Sequence, residues 1–180
     1  MGKILADVFG LLLLFMGLFQ VHPLFGERSA SIRGVTLENW KKFSNGTALD
    51  TRTGLTWMTQ DFRSTEGRAP DNWGEAMAWA EKLNLQKYGG HDDWRVPGIV
   101  EYQEIFDERN SRLAFDLDRG RPVGYPPAFE DGGGYGFWSR DEVGEKAAKY
   151  FFFIGGYSKT EQKDYRHPSI SIRLVRGKSV

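Results

Sequence analysis

The chain has 180 residues, with 24 basic and 24 acidic side chains, 22 glycines and no cysteine. That length suits one domain with a short appendage. Zero net charge speaks against a phosphate-neutralising nucleic-acid binder, and the lack of cysteine excludes a disulfide scaffold, a thiolate metal centre and a thiol nucleophile.

At the N-terminus, Lys3 precedes an apolar run over residues 8–19, bounded by Asp7 on one side and Gln20, His22 and Pro23 on the other. A positive start and an apolar segment of about 7–15 residues describe a secretory signal. Cleavage after Gly26 or Ala30 would place Leu24 or Arg28 where a small residue belongs. Residues 1–30 are therefore expected to be a signal peptide or an N-terminal membrane anchor, with membrane contact through residues 4–25 if uncleaved. Either reading puts residues 31–180 outside the cytoplasm, in the periplasm or at the cell surface.

The body of the chain opens with short strands. A first strand is expected within residues 31–43, then Asn45-Gly46 as a turn, a strand over 47–49, a second turn over 50–54 and a strand over 55–58. Residues 61–70 read as polar loop. Asp71 or Asn72 caps a helix, with Glu75 three residues past Asn72 as in a capping box. Trp73, Ala76, Met77, Ala80 and Leu83 form its apolar stripe, and Gly89-Gly90 closes the segment. A short extended piece, Asp93-Trp94-Arg95-Val96-Pro97, follows. A second helix is expected over residues 98–107, on a stripe of Ile99, Tyr102, Ile105 and Phe106. Residues 108–136 read as irregular, with three prolines and Gly132-Gly133-Gly134 as a flexible apex. Residues 149–154, nearly all aromatic, read as a central strand. Alternation over 169–176 predicts a strand with one wet face. Short strands, two helices, a long loop and a meander make an α+β pattern.

Five fragments in this order resemble one family. They are Gly54-Leu55-Thr56-Trp57; Trp73-Gly74-Glu75-Ala76 with Leu83-Asn84; Asp93-Trp94-Arg95-Val96-Pro97; Phe137-Trp138-Ser139; and Ile172-Arg173-Leu174-Val175-Arg176-Gly177. Over residues 43–178 the chain resembles the Lcl C-terminal domain family, bacterial modules catalogued as a domain of unknown function that close some collagen-like adhesins. The resemblance implies a C-type lectin-like fold in the branch near formylglycine-generating enzyme: two helices flanking a twisted antiparallel sheet, with a long ligand-facing loop region. Trp57, Trp73, Asp93, Trp94, Arg95, Pro97, Trp138, Arg173 and Arg176 carry the motifs. Many members hold one cysteine in the first helix and another in the last strand. Ala80 and Leu174 stand at the matching positions here, and are expected to pack together in place of a lost disulfide.

The chemistry-bearing residues favour binding over catalysis. Trp94 is expected in the core with Arg95 paired to a carboxylate, and His91-Asp92-Asp93 reads as a solvated turn rather than a metal site. Glu101 and Glu104 read as a solvated helix face. No G-x-S-x-G motif is present, and Ser139 has no evident histidine partner. Aromatic and polar residues interleave in the long loop region. Tyr125, Tyr135, Asp116, Asp118, Arg119, Arg121, Glu130 and Asp131 are the candidate ligand contacts; Phe137 and Trp138 are assigned to the core. The function expected is a non-catalytic, exported or membrane-tethered module that recognises an envelope glycan or envelope protein. No cofactor, metal or nucleic acid is expected. The alternatives are a carbohydrate-active hydrolase using two loop carboxylates and a structural partner in an envelope complex.

Overall fold

Alternation along two strands divides the domain into two cores. In β7 (Gly136–Val143), Phe137 enters one hydrophobic cluster and its neighbour Trp138 the other. In β8 (Ala147–Phe152), Phe151 joins Phe137 while Ala148 and Tyr150 join Trp138. Side chains on a strand alternate between faces, so a strand that is apolar at every position is covered on both sides. The computed structural model describes residues 34–109, 112–115 and 121–178, which fall in one compact unit.

The four-stranded sheet has the order β10-β7-β8-β9, with β9 at Tyr157–Gln162 and β10 at Ile170–Ser171. β7, β8 and β9 form an antiparallel meander, with β8 in the middle; its third strand is β9, which the sequence pattern did not reveal, and not the segment 169–176 expected there. β10 adds to β7 in parallel, so the sheet is mixed. A second sheet has five strands in the order β1-β2-β3-β4-β11. These are β1 (Gly34–Leu37), β2 (Trp40–Phe43), β3 (Thr47–Asp50), β4 (Thr56–Met58) and β11 (Val175–Arg176). The turns at Asn45-Gly46 and over 50–54 therefore join strands as expected. The architecture is α+β, with three α-helices and one short 3-10 helix among the described residues and curled, largely antiparallel sheets.

The long helix α2 (Trp73–Leu85) starts where its capping signal lies: the Asn72 side chain accepts from the Glu75 backbone N–H at 2.8 Å. The Glu75 carboxylate reaches back one residue further than a capping box requires, to the Asp71 N–H at 2.5 Å. Ala76, Ala80 and Leu83 are buried as the stripe predicts, and Trp79 joins them. Ala80 and Leu174 belong to the same buried cluster. Helix α3 (Ile99–Glu104) is shorter than expected and buries Tyr102 completely.

Four expectations are corrected. Residues 61–70 hold a helix, α1 (Phe62–Glu66), capped by the buried Asp61 side chain and closed by Gly67. The polar residues suggested a loop, but Phe62 is the one side chain the turn needs to bury. Residues 108–136 contain a β-hairpin, β5 (Arg112–Ala114) with β6 (Arg121–Val123). Pro122 sits in it, as an edge strand allows. The segment 169–176 is not one strand with a wet face. Residues 169–175 are all buried, and they pass from the four-stranded sheet to the five-stranded one. Ser171 accepts from the Arg63 N–H, Arg173 donates to the Met58 carbonyl, and the carbonyls of Ile172 and Leu174 accept from Phe62 and Met58. Its polar side chains alternate, yet each meets protein rather than water. Finally, Gly132-Gly133-Gly134 is not a free apex. Gly133 and Gly134 are buried, and a Cβ on Gly133 would lie 2.6 Å from the Asp61 carboxylate. These glycines permit a close approach rather than motion.

Among the described residues no helix is long and apolar enough to cross a membrane. The expected signal peptide or anchor at residues 1–30 lies outside the described residues.

Candidate functional site

Helix α2 covers only part of its face of the four-stranded sheet. Trp138, Ala148 and Tyr150 pack in the cluster that contains Ala76, Trp79 and Leu83. Further along the same face, Phe152 is half-buried and stands opposite Tyr157, while Tyr150 stands opposite Lys159. The open end of the face, with the chain before β10, makes a cavity of about 160 Å³ lined by Tyr135, Tyr150, Phe152, Lys159, Tyr165, His167 and Ile170.

The rings meet at defined angles. Tyr135 stands edge-on to Phe152 at 5.5 Å, Tyr165 stacks on His167 at 6.3 Å, and Phe152 lies 5.3 Å from Tyr157. Tyr157 and Tyr165 are 45% and 36% exposed, a share of aromatic surface left to solvent by the fold itself. The Lys159 ammonium lies over the Phe152 and Tyr157 rings, a geometry in which the ring faces attract a cation. The His167 Nδ1 accepts from the Ser169 N–H at 3.2 Å. That bond assigns the ring proton to Nε2 in the neutral form. Burial pushes the Tyr150 phenol up to about 12, with the Glu161 charge adding to it. The cleft thus combines ring faces with phenol hydroxyls, an imidazole and a cationic ammonium, and no carboxylate lines it among the described residues.

Of the sequence-predicted ligand residues that are described, Tyr135 alone is in this cleft. Tyr125 is 0% exposed and packs against Phe129, Phe137 and Phe153. Its hydroxyl donates to the Gly134 carbonyl. A wholly enclosed ring offers no face to a ligand, so Tyr125 is a core residue. Its place among interleaved aromatic and polar residues suggested a surface, but it is buried in one cluster with Ala114 and Val123 of the β5–β6 hairpin. Glu130 pairs with Lys42, and Asp131 accepts from the Leu113 N–H and faces Arg112 at 3.2 Å. Arg121 is exposed on β6. These polar residues hold the hairpin region and do not converge on Tyr135. Asp116, Asp118 and Arg119 lie outside the described residues.

The motif residues are mostly structural. Trp57, Trp94 and Trp138 are buried, and Trp73 donates to the Ser139 carbonyl at 2.9 Å. Pro97 is buried just before α3. Arg95 grips Glu101 through two hydrogen bonds of 2.6 and 2.8 Å, as expected of Arg95. Glu101, expected on a solvated face with Glu104, is instead 2% exposed and also accepts from the Gly98 N–H at 2.9 Å. Glu104 is exposed. Asp93 is exposed and holds the Arg176 Nε at 2.6 Å. His91 packs edge-on to Trp94, and burial with the nearby Arg176 charge lowers its pKa. Arg173 is 1% exposed, donates to the Met58 carbonyl at 2.9 Å and lies 4.0 Å over the Phe129 ring.

The residues that sequence reasoning missed are Tyr150, Phe152, Lys159, Tyr165 and His167. The available signal was the aromatic run over 149–154. Alternation puts Phe151 and Phe153 on one face and Tyr150 and Phe152 on the other, and a single helix cannot cover that whole second face.

Another cleft, of about 180 Å³, includes Glu38, Glu104, Asp107, Glu108 and Arg109 in its lining. There Arg109 binds Glu38 and Asp107 together, and its hydrogen bonds hold both carboxyls below their usual range. A general acid needs the opposite shift. Among the described residues, no group of three or more His, Asp or Glu side chains is placed to hold a metal ion.

Fold and cleft together define a small α+β domain that holds an aromatic recess on a two-core frame. The chain belongs to the Lcl C-terminal domain family, whose model matches residues 46–176. No curated protein matches the chain.

Proposed function

We propose that this domain is a non-catalytic binding module that recognises a glycan through the aromatic cleft around Tyr135, Phe152 and Tyr165. The observation that carries the reading is the set of tyrosines left partly exposed beside half-buried Phe152, with Lys159 and His167 as donors at the rim. A sugar ring has an apolar face that stacks on aromatic rings and a periphery of hydroxyls that accept and donate hydrogen bonds. Tyrosine offers both properties in one rigid side chain. A volume of about 160 Å³ falls below the range of about 300–1,000 Å³ typical of enclosing small-molecule pockets. That suits a ligand stacked on the surface rather than engulfed.

Family membership supports a C-type lectin-like assignment of the finer fold, in keeping with the curled sheets and the flanking helices. The N-terminal segment, with Lys3 before the apolar run, supports export or membrane tethering and hence a ligand of the cell envelope. A structural role in an envelope complex would use the same cleft for a protein partner.

The test is a glycan array probed with the full-length chain, wild type and with Tyr135→Ala and Tyr165→Ala. Saccharide binding that both variants weaken by tenfold or more supports the reading; this corresponds to about 1.4 kcal/mol. Binding that both variants retain at full strength, or no binding by the folded wild type to any saccharide, contradicts it.

A further inference from the structure

Strand β9 is an open edge. The four-stranded sheet ends there, and among the described residues no further strand pairs with it. Five of its six residues are exposed, and the sixth, Glu161, is half-buried. An edge of this length presents unpaired N–H and C=O groups to any strand that can approach.

The side chains select which strand that is. β9 reads Tyr157-Ser158-Lys159-Thr160-Glu161-Gln162. Among the described residues neither Lys159 nor Glu161 has an ion-pair partner, while Lys163 is paired to Glu142. Consider a second copy of β9 running antiparallel with the two-fold axis at Thr160. Thr160 then faces Thr160 of the second copy. Lys159 faces Glu161 and Glu161 faces Lys159, while Ser158 faces Gln162. Opposite-charge pairs and Thr–Thr pairs directly across an antiparallel ladder are both favourable. Shifting the axis by one residue, to Lys159 or Glu161, puts like charges opposite each other. The edge is therefore complementary to itself in one register. Lysine on an edge strand discourages generic pairing, which leaves the self-complementary partner favoured.

We infer that β9 is a homodimer interface, and that two copies join edge to edge at Thr160 to form one continuous eight-stranded sheet. Antiparallel neighbours are related by a two-fold axis perpendicular to the sheet, so a face of one copy continues into the same face of the other. Lys159 and Tyr157 lie on the face that carries Tyr150 and Phe152. The dimer consequently displays its two aromatic clefts on one side. Two sites held in fixed relation raise avidity for a repeating ligand without any new contact.

The absence of cysteine makes the test direct. The full-length chain carries Thr160→Cys as its single thiol and is oxidised with copper phenanthroline and dissolved oxygen. Two thiols form one S–S bond, their two electrons passing to oxygen and their two protons to solvent. Directly opposed residues have Cβ atoms about 4.5–5.5 Å apart, close enough to bridge with slight adjustment. Ser158→Cys is the collision control, because its own symmetry mate lies about 14 Å away along the strands. We expect Thr160→Cys to give at least about tenfold more covalent dimer on a non-reducing gel than Ser158→Cys. The double variant Ser158→Cys/Gln162→Cys crosslinks as Thr160→Cys does. Adding Lys159→Glu to Thr160→Cys abolishes the excess, and adding Glu161→Lys as well restores it. Equal crosslinking at residues 158 and 160, or crosslinking indifferent to Lys159→Glu, overturns the inference. A monomer by sedimentation of the wild-type full-length chain at micromolar concentration also overturns it.

Discussion

Replacing Glu101 with alanine removes the side chain that ties the Asp93-to-Pro97 segment to helix α3. Glu101 is 2% exposed. It accepts two hydrogen bonds from Arg95 and one from the Gly98 N–H, and lies 3.8 Å from Arg140. Truncation leaves the Arg95 guanidinium without its buried counter-charge. Breaking such a pair costs about 3–5 kcal/mol when both groups are enclosed. The Arg95 side chain is 24% exposed and can turn partly to water, which places the expected loss near the lower end, about 3 kcal/mol. The Gly98 N–H at the start of α3 loses its acceptor too, a term of about 1 kcal/mol that the lower figure already covers. Urea unfolding of the full-length chain measures the effect. With a slope of about 1–3 kcal/mol/M, the midpoint falls by roughly 1–3 M at unchanged slope. Glu101→Gln keeps the shape and the Gly98 acceptor but loses the charge, so it falls between wild type and alanine. The pH dependence has a definite sign. Burial raises the Glu101 pKa, but the Arg95 and Gly98 hydrogen bonds and the neighbouring arginine charges outweigh it, so the folded pKa lies below its ordinary value. The contribution is thus present above the ordinary glutamate range and is lost as pH falls through the lower folded pKa. The gap between wild type and Glu101→Gln accordingly closes in acid. A loss under about 0.5 kcal/mol for Glu101→Ala, as for an ordinary surface site, or a gap that widens in acid, refutes the clamp.

Three further outcomes follow from the packing. Tyr125→Phe leaves the buried Gly134 carbonyl without the hydroxyl that donates to it, costing about 1–3 kcal/mol in urea unfolding while leaving saccharide affinity unchanged; a loss of affinity at full stability would return Tyr125 to the binding surface. Gly133→Ala drives a Cβ to 2.6 Å from the Asp61 carboxylate, which also accepts from Ser64 and Gly134, so the thermal midpoint falls by an amount equivalent to about 1–3 kcal/mol; an unchanged midpoint would mean the loop yields freely. Arg173 has two buried nitrogens, Nε and Nη2, without a hydrogen-bond partner among the described residues, and its guanidinium rests on aromatic rings that a thioether can also pack against, so Arg173→Met stays within about 1 kcal/mol of wild type in urea unfolding, whereas Arg173→Ala opens a cavity and costs about 3 kcal/mol; a Met variant as unstable as the Ala variant would show that the charge itself holds the core.

The frame was readable wherever one local rule governed the outcome. Asn72 and the stripe through Ala76, Ala80 and Leu83 specify α2 without help from the rest of the chain. Asn45-Gly46 and the aromatic run over 149–154 likewise specify a hairpin turn and a central strand. Several of the failures share a different cause. Ser171, Arg173 and Glu101 are polar, and sequence pattern assigns polar residues to water. In the fold each finds a partner from a distant element: Arg63 for Ser171, Met58 for Arg173, Arg95 for Glu101. Asp61 behaves in the same way, capping α1 and receiving the Gly134 N–H from 73 residues away. The candidate cleft was only partly legible for a related reason. Tyr135 was visible as an aromatic beside a glycine run. Its neighbours Phe152, Tyr165 and His167 come from separate segments, and only the extent to which α2 covers the sheet decides which of them meet solvent.

The most direct test of glycan recognition at the cleft is a titration of the full-length chain with the best array ligand, comparing wild type, Tyr135→Ala/Tyr165→Ala and Tyr125→Phe. Binding that the double cleft variant loses by about a hundredfold, roughly 2.7 kcal/mol, while Tyr125→Phe keeps wild-type affinity, is the predicted result. Unchanged affinity in the double variant, with loss in Tyr125→Phe or in neither, would contradict the assignment of the cleft.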